Sequence, residues 1–263
     1  MAINEQEIQN IVRSVLKGMA TNSPAEAPAS SGQKLKGIFK TADEAIAAAK
    51  AAQKEIQPMP LEFREKIIAN IRKKTLENAK MLSELAVEET GMGNVGHKII
   101  KHQLVAEKTP GTEDLSTIAW SGDRGLTLTE MGPWGVIGAV CPSTNPTCTV
   151  ICNSIGMVAA GNAVVFMPHP SAKKCSNLAI DMVNRASIEV GGPENIVTAV
   201  EEPTMEVSNY IFKHKDIDML CATGGPGVVT AVLSSGKRAM GAGAGNPPVL
   251  VDETANIPKA AAD

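Results

Sequence analysis

The chain has 263 residues, 43% of them apolar and 3% aromatic, with a formal net charge of -3. Such a chain can build a sizeable core and is not disordered, and with neither a basic field nor stacking platforms it is a poor partner for nucleic acid. The longest apolar stretch, residues 155–167, is interrupted by Gly161 and Asn162 and falls short of the roughly 20 residues that span a membrane, and the polar, acidic N-terminus lacks a secretory pattern.

In chain order, residues 1–19 come first. Ile8, Ile11, Val12, Val15, Leu16 and Met19 recur at helical spacing, with Asn4 and Glu7 as cap and Gly18 as stop, which predicts an amphipathic helix. Residues 20–36, rich in Pro, Ala and Ser between Thr21 and Lys34, read as a flexible linker. A helix this short is marginal alone, so its apolar stripe needs a partner surface. It is either an oligomerisation or docking helix on its own protein or a targeting peptide.

The third region, residues 37–263, opens with helices. Thr41 and Glu44 have capping-box spacing, Pro60 opens a second helix to about Lys73, and a third runs towards Gly91. A further helix over 97–107 stops at Thr109, Pro110 and Gly111, and alternation over 126–130 predicts an edge strand. Beyond it, residues 136–141, 163–167, 196–200, 219–222 and 249–251 read as short buried strands with helical patterns between them. The expected fold is α/β, a doubly wound, mostly parallel sheet preceded by helices.

Five cysteines, an odd number without a secretion signal, fit reduced thiols in the cytoplasm. Cys141, Cys148 and Cys152 cluster, but without the close pairs of zinc modules they read as core packing, so no metal is expected.

Two segments carry chemistry. Residues 132–170 read as a buried strand, a tight turn bearing Asn145, a helix and a second buried strand, the way an open α/β sheet builds a ligand crevice. Thr223, Gly224, Gly225, Pro226 and Gly227 follow an apolar strand and open a helix, where glycines permit close approach of a phosphate and the helix end offers unpaired N–H groups. Taken alone, that turn also fits an ordinary glycine-rich connection. Residues 241–255 read as a glycine loop leading into a strand, without dinucleotide spacing.

These segments resemble the aldehyde dehydrogenase superfamily. Glu89–Gly93 (ETGMG), Thr109–Leu115 (TPGTEDL), Pro142–Pro146 (PSTNP), Pro168–Lys174 (PHPSAKK) and Gly191–Asn195 (GGPEN) narrow the resemblance to CoA-acylating enzymes of ethanolamine and propanediol breakdown. The resemblance implies a Rossmann-like cofactor domain over 37–263, with Asn145 donating to the oxyanion formed when a cysteine attacks an aldehyde. It puts Ser143, Thr144, His169 and Thr223 to Gly227 at a nicotinamide cofactor. NAD is expected and NADP stays open, since no acidic residue is evident for the ribose. His169 stands where the wider family has a lysine, and as a bare residue it fits a satisfied loop histidine equally well. Lys173 and Lys174 fit a solvated helix face better than a phosphate site.

Counting back from Asn246 and Pro247 puts Gly241 where hydrolytic relatives carry the glutamate that activates water. Without that base, the thioester is expected to wait for coenzyme A, whose thiol is the better nucleophile. The family's nucleophilic cysteine falls beyond Asp263, so the chain is expected to be the cofactor part of a protein nearly twice as long, homo-oligomeric when intact. Alternatives are an inert nucleotide-binding or assembly module and the aldehyde half of a bifunctional alcohol and aldehyde dehydrogenase. Residues 3–19 resemble encapsulation peptides, implying a shell-protein partner and a place in the lumen of a bacterial microcompartment.

Overall fold

A computed structural model describes residues 34–243, 245 and 248–262. The chain divides into two units, Met1–Leu35 and Lys36–Asp263. The helix expected over 3–19 lies outside the described residues, as does the linker up to residue 33.

Local chemistry sets the first helix, α1 (Ala42–Ile56). The Thr41 hydroxyl accepts from the Glu44 N–H and the Glu44 carboxylate accepts from the Thr41 N–H, completing the predicted capping box. Its buried stripe, Ala45, Ile46, Ala49, Ala52 and Ile56, faces the sheet. Where two helices were expected between residues 60 and 91, one continuous helix α2 (Leu61–Thr90) forms. No Gly or Pro interrupts it, and the buried Thr75 and Ser83 hydroxyls donate to carbonyls four residues back, so their polarity costs little. Gly91 ends it at φ 66°, a left-handed cap that glycine adopts without strain. Helix α3 (Val95–Lys108) follows, with the Asn94 side chain accepting from the His97 N–H.

Six strands make one sheet: β1 (Ile38–Phe39), β4 (Val136–Val140), β5 (Ala163–Met167), β6 (Val197–Val200), β7 (Met219–Thr223) and β8 (Arg238–Ala242). Their order is β1-β6-β5-β4-β7-β8 and every pairing is parallel. The remaining helices are α4 (Pro146–Ala159), α5 (Lys173–Glu189), α6 (Met205–Lys213), α7 (Pro226–Leu233) and α8 (Ile257–Ala262). Ala163, Val165 and Met167 of β5 pack with α1 and with Ile211, Phe212 and Val232 of α6 and α7. The alternating Val164 and Phe166 point to the other face, where α4 and α5 cover the sheet. Both faces are therefore buried, which is why β4 and β5 read as unbroken apolar runs. Among the described residues no helix is long and apolar enough to cross a membrane.

Two strand expectations are corrected. The alternation near 126–130 is real, but β3 (Gly125–Thr129) pairs antiparallel with β2 (Ile118–Gly122) in a separate hairpin instead of edging the main sheet, because the two-residue link Asp123–Arg124 supplies a local partner. Residues 249–251 form no strand; Val249 is 85% and Leu250 94% exposed. The place beside β7 is taken by β8, whose last two residues, Gly241 and Ala242, fall in the stretch read as a glycine loop.

Candidate active site

From β4 the chain winds outward through β5 to β6, then crosses to the other side of β4 for β7 and β8. The carboxyl ends of β4 and β7 thus diverge at a switch point, where open α/β sheets hold ligands. The opposite ends are pinned together. Asp218 accepts from the Val136 N–H through its carboxylate at 2.8 Å and donates its own N–H to the Val136 carbonyl at 2.8 Å. The Asn162 side-chain oxygen accepts from the Trp134 and Gly135 N–H groups at 2.6 and 3.0 Å.

A cleft of about 880 Å³ opens at the switch point. Ser143, Thr144 and Asn145 line it after β4, His169 after β5, and Thr223, Gly224, Gly225, Pro226 and Gly227 after β7, so every site residue expected from the sequence meets there. Pro203, Thr204, Met205 and Ser208, between β6 and α6, also line it and were not anticipated. The signal was available: a fourth parallel strand, β6, also ends at this edge, and Thr204 caps the next helix by accepting from the Val207 N–H.

Asn145 holds the N-cap position of α4, where asparagine ordinarily accepts a hydrogen bond from the first turn. Here its side chain makes no capping bond; its backbone sits at φ -144° and ψ 58°, and Pro146 follows as the first helical residue. Its carbonyl accepts from the Thr149 N–H and hydroxyl, at 3.2 and 2.6 Å. Among the described residues the carboxamide is spent on no internal bond, which leaves an N–H donor available at the cleft.

On the far side, Gly225 caps α7 and Pro226 is its first residue. A Cβ on Gly225 or Gly227 would meet nothing within 4 Å, so the glycines leave open space in front of the unpaired first-turn N–H groups. That cradle fits a pyrophosphate. His169 Nδ1 accepts from the Ser171 N–H at 3.2 Å and contacts its hydroxyl at 2.8 Å, which makes it first a local cap and leaves only the Nε2 edge for a ligand. Lys173 pairs with Glu202, the second of two glutamates beyond β6, and the Lys174 N–H donates to Glu89.

Behind the turn, Lys98 is 5% exposed and donates through Nζ to the Thr144 carbonyl at 3.3 Å. Burial lowers its pKa from the ordinary lysine value, the Lys101 charge adding to the effect. His102, fully buried, has its pKa lowered by desolvation. Four of the five cysteines are the reverse of activated. Cys141 lines the cleft but is 2% exposed and its N–H continues the β4–β5 ladder to the Met167 carbonyl. Burial raises the thiols of Cys141, Cys148, Cys175 and Cys221, the reverse of activation. Among the described residues no three His, Cys, Asp or Glu side chains group to hold a metal ion.

A parallel, doubly wound α/β sheet with a glycine turn and a carboxamide without a described partner lining one cleft at its switch point defines a Rossmann-like domain. The chain belongs to the aldehyde dehydrogenase family, whose profile matches residues 18–263. It is 51% identical to the acetylating acetaldehyde dehydrogenase of Bilophila wadsworthia over 268 residues, 99% of this chain and 55% of that protein. A propionaldehyde dehydrogenase from the fucose utilisation microcompartment of Clostridium phytofermentans superposes with a TM-score of 0.81 at 64% identity, over 87% of this chain and 52% of that one. The Rhodopseudomonas palustris propionaldehyde dehydrogenase with bound propionyl-CoA gives 0.81 at 52%, over 92% and 54%. The chain spans about half the length of these relatives.

Proposed function

We propose that the protein carrying this chain oxidises a short-chain aldehyde, acetaldehyde or propionaldehyde, to acyl-CoA, with NAD and coenzyme A as co-substrates. The observation that carries this reading is the Asn145 carboxamide, without a partner among the described residues, in the same cleft as the Thr223–Gly227 turn. When bound, the nicotinamide cofactor accepts the hydride; NADP would serve the same chemistry. Ser143, Thr144, His169 and Thr223 to Gly227 hold the cofactor, the Gly225 and Gly227 N–H groups meeting its phosphates. The nucleophile is a cysteine that the family pattern sets after Asn246 and Pro247. Asn145 donates to the oxygen that becomes an oxyanion on its attack, and the resulting thioester, with Gly241 in place of a base, is released by the CoA thiol.

Asn145→Ala in a full-length protein tests this reading. The rate falls by roughly 100- to 1000-fold while NAD affinity holds. A wild-type rate would overturn the assignment.

Residues 37–263 are the cofactor-binding domain in this reading, and residues 1–19 an encapsulation peptide on the linker 20–36. It engages a shell protein and carries the enzyme from the cytoplasm into a microcompartment lumen. The acetylating and microcompartment relatives support that reading. Deleting residues 1–19 abolishes co-localisation with shell proteins and leaves cofactor affinity intact; unchanged localisation would sink it. The intact enzyme is a homo-oligomer, a reading supported by the exposed Trp120, Leu126 and Leu128 of the β2–β3 hairpin.

A further inference from the structure

One buried polar network touches the cleft from behind without lining it. Lys98 and His102 lie one turn apart on α3. The Lys98 ammonium donates to the Thr144 carbonyl, which belongs to the same peptide plane as the Asn145 N–H. His102 Nδ1 stands 2.8 Å from the Lys98 carbonyl and 3.1 Å from the Ser83 hydroxyl, and Nε2 stands 3.0 Å from the Thr147 hydroxyl. A carbonyl can only accept, so Nδ1 carries the proton and Nε2 accepts from Thr147. Both residues therefore grip the chain on either side of Asn145, one at its preceding peptide and the other at the second residue of α4.

The route of the lysine is itself built. Gly93, at φ 83°, lies against the stem of Lys98, and a Cβ there would approach Cε to 3.3 Å. Lys98 as a whole is 5% exposed, and a charge is costly to bury without compensation, so its one described partner, a carbonyl in the turn, is a specific arrangement and not a surface accident.

We propose that Lys98 is a positioning residue: by fixing the Thr144–Asn145 peptide plane it aims the Asn145 carboxamide into the cleft. The inference rests on reading Asn145 as the oxyanion donor. His102, through Thr147, supports the same turn from below.

The test uses the full-length enzyme with Lys98→Met, which keeps the apolar stem and removes the donor. Deuterium uptake rises over residues 142–149 and is unchanged over β5, residues 163–167. The kcat falls roughly 10- to 100-fold, the scale of loss that a misplaced catalytic group produces. Added to Asn145→Ala, Lys98→Met costs nothing further, because it acts through the group already removed. Lys98→Arg, which keeps a cationic donor, retains the rate to within about fivefold. Unchanged uptake over 142–149, a rise spread over the whole sheet, equal losses in the wild-type and Asn145→Ala backgrounds, or an Arg variant as slow as the Met variant would each overturn the proposal. A wild-type rate for Asn145→Ala alongside the uptake change would instead remove the oxyanion reading and leave the brace on the turn standing.

Discussion

A Cβ on Gly241 would stand 2.6 Å from Cγ1 of Val229, with Leu233 Cδ1 next at 3.6 Å. Strand β8 therefore lies on α7 as closely as it does because residue 241 has no side chain, and α7 begins at the glycine turn of the cleft. The position matched to the water-activating glutamate of hydrolytic relatives is closed to a side chain as well as lacking one.

Gly241→Glu should not convert the enzyme to a hydrolase. Overpacking against Val229 costs on the order of 1–3 kcal/mol and shifts the start of α7. Thermal denaturation and product analysis check this: a lower midpoint, with acyl-CoA still the product. Free carboxylic acid formed without CoA at the wild-type acylation rate would show that the side chain can reach the thioester, against the packing argument.

Gly225 offers the opposite case. It sits at φ -69°, which any residue adopts, and its Cβ direction is empty. Gly225→Ala should leave stability within about 0.5 kcal/mol of wild type. The new methyl nevertheless stands where a phosphate would approach the first turn of α7, so the NAD dissociation constant rises by about tenfold, or ~1.4 kcal/mol. Calorimetric titration beside a thermal melt separates the two effects. An unchanged dissociation constant would remove the turn from the cofactor site.

The strand ends and the cleft were legible because their signals are local. Thr41 and Glu44 announce a capping box within four residues, and β4 and β5 declare two-sided burial by their unbroken apolar runs. Asn145 and the Thr223–Gly227 turn each follow such a run directly. Lys98 and His102 could not be read in this way. Their partners Thr144 and Thr147 lie 46 and 45 residues away, and neither residue stands in a pattern of its own. Strand β8 was hidden for another reason: its MGA ending looks like a loop until the close packing on Val229 explains why a glycine belongs in a strand. Residues 249–251 are the converse, an apolar triplet that pairs with no strand among the described residues.

The buried thiols set a further expectation at alkaline pH. Burial pushes Cys148 up to about 11 and Cys175 up to about 12, the latter helped by Glu89, and raises Cys141 further. In the unfolded chain these thiols ionise near pH 8.5 to 9, so above that range the folded state holds more protons than the unfolded one. Stability is therefore complete below about pH 8.5 and falls as pH rises towards 11, by about 1.4 kcal/mol per pH unit for each thiol. Lys98, with its lowered pKa, works in the opposite sense up to the ordinary lysine value, one group against the raised thiols, which also include Cys221. Urea denaturation at pH 8, 9.5 and 10.5 measures the sum, and Cys148→Ala should flatten the decline by one thiol's share. At pH 8, iodoacetamide should leave Cys141, Cys148 and Cys175 unmodified in the native protein and label them in urea, as mass spectrometry would read. Rapid native labelling of Cys141 would contradict its assignment to packing and reopen it as a reactive group beside Asn145.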